Sequence, residues 1–266
     1  NGYDAYNPED PDKPKTLWFV RGGDNYYNVA LKLSDRVSAE KKVLNTYNFN
    51  FQVVSEEDAD TVVMRLPFEG GYIQQKYWLP DGEYMLHNEL TVVGADKIIK
   101  EDADTYGVAW KLWVPRLEKG YKNEKQYSRL DYYLPGDGEV EDIAQGADEY
   151  KYISSRVSWF AFHQQFFSAI VTPKDAFKSA KFKVKYFSES GYTHLFDSIA
   201  KHADLYGTSP NCDWIKKEFA TRQYFKESRI DVVLPTLDPD MGDYVNTIAI
   251  HGAFKDILTA KQASNP

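Results

Sequence analysis

"KFKVKYF", residues 181–187, sets Phe182, Val184 and Tyr186 against Lys181, Lys183 and Lys185 in strict alternation. A repeat of two marks an extended strand with one face buried and the other in water. The same repeat recurs on both sides of this stretch. Upstream it takes in Val29, Leu31 and Leu33; Tyr47, Phe49, Phe51 and Val53; and Tyr84, Leu86, Leu90 and Val92, with Asn88 as a polar exception. It continues through Val108, Trp110, Leu112 and Val114, and through Leu130, Tyr132 and Leu134. Downstream it returns at Ile230, Val232 and Leu234 and at Ile248 and Ile250. Roughly a dozen short strands, punctuated by Gly, Pro and Asp, predict stacked antiparallel sheets rather than alternating strand and helix.

Helix-period segments are few and fall mostly in the C-terminal third. "YTHLFDSIAKHADLYG" (192–207) places Leu195, Phe196, Ile199 and Leu205 on one stripe, and "CDWIKKEFATRQYF" (212–225) does so with Trp214, Ile215, Phe219 and Tyr224. "GAFKDILTAK" (252–261) reads as a last short helix. The expected class is therefore all-β, with stacked antiparallel sheets and a few short helices. "NGYDAYNPEDPDKPK", residues 1–15, has no apolar period and reads as a flexible linker. Residues 16–266 then form a single domain, a length that one all-β unit can reach. Three charged stretches read as loops: residues 94–107, 115–125 and, longest and most acidic, 135–151.

Composition narrows function by exclusion. A formal charge of −8 and a pI near 5.2, with Lys and Arg scattered, do not fit a nucleic-acid-binding surface. Cys212 is the one cysteine, so neither an intrachain disulfide nor a cysteine-based zinc site can form. The longest uncharged run, Val157 to Pro173, is too short and too polar to span a bilayer as a helix. Neither a phosphate-cradling Gly-rich turn nor a GxSxG nucleophile elbow occurs. The five histidines, His87, His163, His194, His202 and His251, contain no HExxH spacing, so no metal or other cofactor is expected. "DADTYG" (102–107) begins like a calcium loop, but the twelfth position is Trp113, where a bidentate Glu is needed. Glu118 and Glu124 could pair as glycosidase acids but sit in a charged loop whose exposure would leave them ordinary. Five of the six tryptophans, Trp78, Trp110, Trp113, Trp159 and Trp214, could stack on sugar rings, although core packing accounts for most of them.

"WFAFHQQFFSAIV" (159–171) is the densest apolar stretch and holds His163, Gln164 and Gln165. As one strand it would put Trp159, Ala161, His163, Gln165, Phe167 and Ala169 on one face and Phe160, Phe162, Gln164, Phe166 and Ile170 on the other. Both faces are mostly apolar, which fits a strand covered on both sides. A buried amide needs partners, so Gln164 and Gln165 are expected to satisfy backbone groups where the strand bends or bulges. His163 is not expected to hold a ligand.

Three stretches in order carry a resemblance. "YWLPDGEYML" (77–86) precedes a Trp-bearing segment running into "EKG" (118–120) with Glu124 and Tyr127, and then comes "VSWFAFHQQFFSAIVTP" (157–173). Together they resemble the large periplasmic domain of the YidC family of membrane protein insertases, in its Bacteroidetes-like form. That family's hallmark reads approximately W-[VI]-A-F-x-Q-Q-[FY]-F, and Trp159, Ala161, Phe162, Gln164, Gln165, Phe166 and Phe167 stand at its positions. The resemblance covers residues 17–187 well, and the segment after Phe187 is longer than the family's. It implies a β-supersandwich between the first and second membrane spans, on the periplasmic side of the bacterial inner membrane. It further implies a non-enzymatic domain without cofactor that supports insertion and folding of inner-membrane proteins. The implied partners are the membrane-embedded remainder of the same protein and Sec translocon components, SecD/SecF among them. Loops 115–125 and 135–151 are expected near the SecD/SecF side. The alternative reading is a carbohydrate-binding or galactose mutarotase-like sandwich, with weak glycan binding in a groove that combines Trp or Tyr with a His and a carboxylate.

Overall fold

The computed structural model describes residues 25–187, except 39, 41, 59, 116 and 119, together with residues 224–235, 244–254, 4–5, 12–13 and 15–16. Near the N-terminus, β1 (Asp4–Ala5) pairs with β2 (Lys15–Thr16) in a two-residue ribbon. Then come β3 (Tyr26–Lys32), β4 (Val43–Asn45), β5 (Gln52–Asp58), β6 (Thr61–Phe68), β7 (Gly71–Trp78) and β8 (Met85–Val93). A short helix, α1 (Ala95–Ile98), leads into β9 (Thr105–Pro115), and α2 (Tyr121–Tyr127) leads into β10 (Arg129–Leu134), β11 (Glu139–Ile143) and β12 (Glu149–Ile153). β13 (Trp159–His163), β14 (Phe167–Pro173), β15 (Ser179–Tyr186), β16 (Tyr224–Pro235) and β17 (Tyr244–Phe254) complete the described elements.

Two antiparallel sheets stack. One has nine strands in the order β11-β10-β13-β14-β17-β8-β7-β6-β5, the other six in the order β12-β15-β16-β9-β3-β4. The alternating apolar residues form the layer between them: Val29 and Leu31, Val108 to Val114, Leu130 to Leu134, Phe182 to Tyr186 and Ile230 to Leu234 supply a single buried cluster. Aromatic rings lock the sheets across this layer. Trp110 lies 5.3 Å from Phe162, Tyr132 5.2 Å from Phe182, and Phe160 5.7 Å from both Phe177 and Phe182, all centroid to centroid. Asn88, the polar exception, is buried in that layer and accepts a hydrogen bond from the Tyr27 hydroxyl of the opposite sheet at 3.2 Å. The structure is thus an all-β sandwich with few short helices, as expected.

Several local expectations are corrected. The strand through Tyr47, Phe49 and Val53 is interrupted: Thr46–Asn48 form a 3-10 turn, and those three side chains are exposed. Asn28 causes the break. Its Oδ1 accepts from the Thr46 hydroxyl and the Tyr47 N–H, while the Thr46 hydroxyl accepts the Val29 N–H at 2.9 Å, so the chain is tied down before it can extend.

The acidic stretch 135–151 is not a long loop. After a turn at 135–138, with Gly138 in the left-handed region at φ 71°, it forms β11 at one edge of the nine-stranded sheet and then enters β12 at one edge of the six-stranded sheet. Its acids build the crossover: Glu149 accepts the Ala144 N–H at 2.7 Å, Asp148 accepts the Tyr186 N–H at 2.8 Å, and Glu141 lies 2.9 Å from Lys151 Nζ. Charge at an exposed edge also discourages another chain from pairing there. Likewise, residues 94–107 hold α1 and the buried Ala95, Ile98, Ile99 and Ala103, and residues 115–125 run into α2.

"WFAFHQQFFSAIV" is two strands rather than one. β13 and β14 pair as a hairpin whose turn is closed by the Gln164 N–H donating to Phe167 O at 2.8 Å. The chain reverses at the two glutamines, so the face assignment for one continuous strand fails beyond His163. The predicted helices over 192–207 and most of 212–225 lie outside the described residues. Their margin and that of 252–261 are corrected, because Tyr224 begins β16 and Gly252 to Phe254 end β17.

Candidate functional site

The hairpin and its neighbour β10 bring four polar residues together. Register pairs Arg129 with His163, Asp131 with Ala161, and His163 with Ser168. These residues alternate with Leu130, Tyr132 and Phe162 of the core, so they stand on the sheet face turned away from the six-stranded sheet. His163 Nε2 lies 2.7 Å from Asp131 Oδ2, and Arg129 donates from Nε to Oδ1 at 2.6 Å and from Nη2 to Oδ2 at 3.1 Å. The Ser168 hydroxyl hydrogen-bonds the other ring nitrogen of His163. Around this quartet, Trp159, Ala161 and Ile170 form a small second apolar cluster, and Tyr133 stacks on Trp159 with centroids 6.2 Å apart.

Burial alone would raise the Asp131 pKa. The hydrogen bonds and charges of His163 and Arg129 outweigh it, so the carboxyl is held below its ordinary value. The order Ser, His, Asp is that of a hydrolytic relay, but the access is not. Ser168 is 4% exposed, and β14 lies between β13 and β17, so its N–H groups are committed to two ladders rather than converging on an oxyanion. What the quartet can do is hold a buried carboxylate by charge and hydrogen bonding, fixing the β10–β13–β14 register. Sequence reading missed it because Arg129 and Asp131 are 32 to 39 positions away from His163 and Ser168; only the R-x-D spacing on a strand hinted at paired groups on one face.

The carboxylates singled out by sequence have different roles. Glu124 is fully buried, contrary to the expected exposure, and its carboxylate accepts the backbone N–H groups of Leu117 at 3.0 Å and Glu118 at 3.4 Å. The carbonyl of Glu124 accepts the Ser128 hydroxyl at 2.7 Å, so the residue staples the segment before α2 to the helix end. Glu118 is half-buried and its pKa is raised by desolvation. The pair do not face one another across a cleft. Glu124→Ala is expected to destabilise the fold by about 1–3 kcal/mol, the cost of leaving buried donors unmatched, read from denaturant midpoints at constant m.

The hallmark residues divide among environments. Trp159 and Ala161 are buried on the outer face of the larger sheet, Phe162 in the core, and Phe167 at the start of β14. Gln164 is 7% exposed, Phe166 is 48% exposed, and Gln165 keeps a buried Oε1 with no hydrogen-bond partner among the described residues. The bend was expected at the glutamines; the satisfied Gln165 amide was not found. A Trp–His–carboxylate grouping does occur. Trp78 stacks on His87 at 5.0 Å, with Glu83 3.5 Å from His87 Nε2. Lys76 lies 5.6 Å from the same indole, so the Trp78 ring is already engaged. Among the described residues no cluster of His, Cys, Asp and Glu could hold a metal, and no helix is long and apolar enough to cross a membrane.

No protein-family model matches the chain. Curated proteins do. It is 26% identical over 180 residues to the membrane protein insertase YidC of Azobacteroides pseudotrichonymphae, covering 68% of this chain and 28% of that protein. It is 26% identical over 199 residues to YidC of Parabacteroides distasonis, covering 74% and 30%, and 30% identical over 155 residues to YidC of Bacteroides fragilis, covering 58% and 25%. The chain therefore spans less than a third of the length of these relatives, and what it resembles is a segment of a YidC insertase from this bacterial group.

Proposed function

We propose that this chain is the periplasmic domain of a YidC-type membrane protein insertase, a non-enzymatic β-supersandwich on the outer side of the inner membrane. It supports the membrane-embedded remainder of the same protein as that protein inserts and folds inner-membrane clients. Residues 16–266 act as one domain behind a short linker. The observation that carries this reading is the likeness to one segment of several insertases over as much as 74% of the chain. The buried state of Ser168 and His163 supports a non-catalytic role, since the arrangement closest to a catalyst is closed to substrate. The hallmark residues, five of them buried and Gln165 and Phe166 at the turn, serve as structure-setting positions of the β13–β14 hairpin.

The gene is expected to encode one membrane span ahead of this segment and several after it. In cells depleted of their own insertase, the full gene should restore growth, and a gene carrying an unrelated soluble domain here should restore it less well. A gene encoding only a secreted protein would sink the proposal. Contact with SecD/SecF is proposed for the surface formed by residues 115–125 and 135–151. Reversing the exposed Asp137, Glu139 and Asp142 together should reduce SecD/SecF recovered with the tagged insertase, and unchanged recovery would remove that contact.

A further inference from the structure

The outer face of the six-stranded sheet carries a groove of about 510 Å³, within the roughly 300–1,000 Å³ range of small-molecule clefts. Its floor is made by small side chains in register on adjacent strands: Ala30 of β3 opposite Gly107 of β9, and Ala109 of β9 opposite Asn28. One wall is Tyr26 and Tyr47, stacked with centroids 5.9 Å apart, beside Asn45. The other wall is Ser179 and Lys181 of β15 with Arg229 and Asp231 of β16. The groove crosses five strands from β4 to β15, about 19 Å at the usual strand spacing.

This face also has its own charge. Beyond the groove, Lys183 and Lys185 alternate outward along β15, and Lys111 of β9 stands in register with Arg229 and Tyr26. Asp231 is the acid among the described side chains of the groove. A chain of net charge −8 thus carries a cationic, tyrosine-bearing face, with Tyr150 and Tyr152 of neighbouring β12 62% and 55% exposed.

We propose that this groove binds an anionic oligosaccharide. The groove runs across the strands, so the backbone beneath it is spent in the ladders, and any occupant is held by side chains alone. An extended peptide would leave its own N–H and C=O groups without a ladder, and a bilayer surface would meet only the rim. A sugar chain needs neither. Its pyranose faces suit the 63% exposed Tyr47 ring. Its hydroxyls match the Asn45 amide, the Ser179 hydroxyl and the Asp231 carboxylate, and its acid groups lie opposite Lys181 and Lys183. The Arg229–Asp231 pair, 3.2 Å apart and exposed, is a rim pair that can open toward a hydroxyl at little cost.

The test titrates the chain with trigalacturonate, maltotriose, an extended acidic peptide and phosphatidylglycerol vesicles. Calorimetry and amide chemical-shift mapping are the readouts. Trigalacturonate is expected to bind, to shift the amides of β3, β9, β15 and β16, and to bind more weakly as salt rises. Maltotriose should bind less tightly. Tyr47→Ala and Lys181→Ala, both at exposed positions, should each weaken trigalacturonate by about tenfold, about 1.4 kcal/mol, with thermal unfolding unchanged. Absence of trigalacturonate binding, binding indifferent to both substitutions, or saturation by vesicles or peptide in its place would overturn the proposal. None of these outcomes bears on the insertase assignment, which rests on sequence likeness.

Discussion

Phe160→Ala is expected to lower stability by about 3–5 kcal/mol, the range for emptying a large aromatic site in a close-packed interior. Phe160 is completely buried, and its ring touches those of Phe162 on its own strand, Phe177 and, across the sandwich, Phe182. Neighbouring rings cannot collapse into the space without breaking their own tilted contacts, Phe162 with Trp110 and Phe182 with Tyr132, so much of the cavity stays. For a domain of this size the loss corresponds to a fall in melting temperature of about 6–20 °C. Phe160→Leu should recover more than half of it. The neighbouring Phe166→Ala, at a 48% exposed position, should cost less than about 1 kcal/mol. If the two alanine variants melt together, the inter-sheet aromatic cluster is not what holds the sandwich closed.

Asp131→Ala is expected to cost a similar amount, about 3–5 kcal/mol, for a different reason. Removing the carboxylate leaves His163, 2% exposed, and Arg129 without their shared acceptor, and an unmatched buried partner is more costly than an absent pair. Asp131→Ala with His163→Phe should lose less than the sum of the single changes, because the second change removes the stranded group. The pH dependence has a definite sign. Burial, outweighed by the His163 and Arg129 hydrogen bonds, leaves Asp131 with a depressed folded pKa. Its stabilising contribution is present above the unfolded value near 3.9 and is lost as pH falls from there through the folded pKa. Wild type should therefore lose stability below about pH 4 more steeply than Asp131→Asn, as measured by urea midpoints across that range.

Alternation alone located interior strands of both sheets. In Val108 to Val114, Leu130 to Leu134 and Phe182 to Tyr186 every second residue is apolar, and each lies between the sheets. The pattern misled where burial was not the deciding force. Tyr47, Phe49 and Val53 alternate yet face solvent, because Asn28, 18 and 19 positions away, captures Thr46 and the Tyr47 N–H. The acidic stretch hid two edge strands, since an edge tolerates charges that a loop also favours. The hallmark segment looked like one strand because Gln164 and Gln165 are not turn residues by propensity; pairing of the flanking apolar runs imposes the reversal. The Asp131–His163–Ser168 contact is invisible to local reading, since it depends on which strands become neighbours. The cationic groove is similar: "KFKVKYF" announces three outward lysines, but only the register with β16, and through it with β9 and β3, sets Lys181 in one groove with Gly107 and Tyr47.

The last two described strands occupy the middle of the sheets. β17 sits between β14 and β8, and β16 between β15 and β9. Until residues 224–254 have emerged from whatever makes or exports the chain, each sheet exists only as two halves with open inner edges. Joining them closes loops of very long sequence separation: Tyr244 pairs with Val92 and Pro235 with Thr105. Such closure is slow relative to hairpin formation, so the earlier strands must wait as unzipped half-sheets. Folding here is governed by order of arrival, and a nascent chain stalled before Tyr224 would present four additional unpaired edges, those of β14, β8, β15 and β9, to its neighbours.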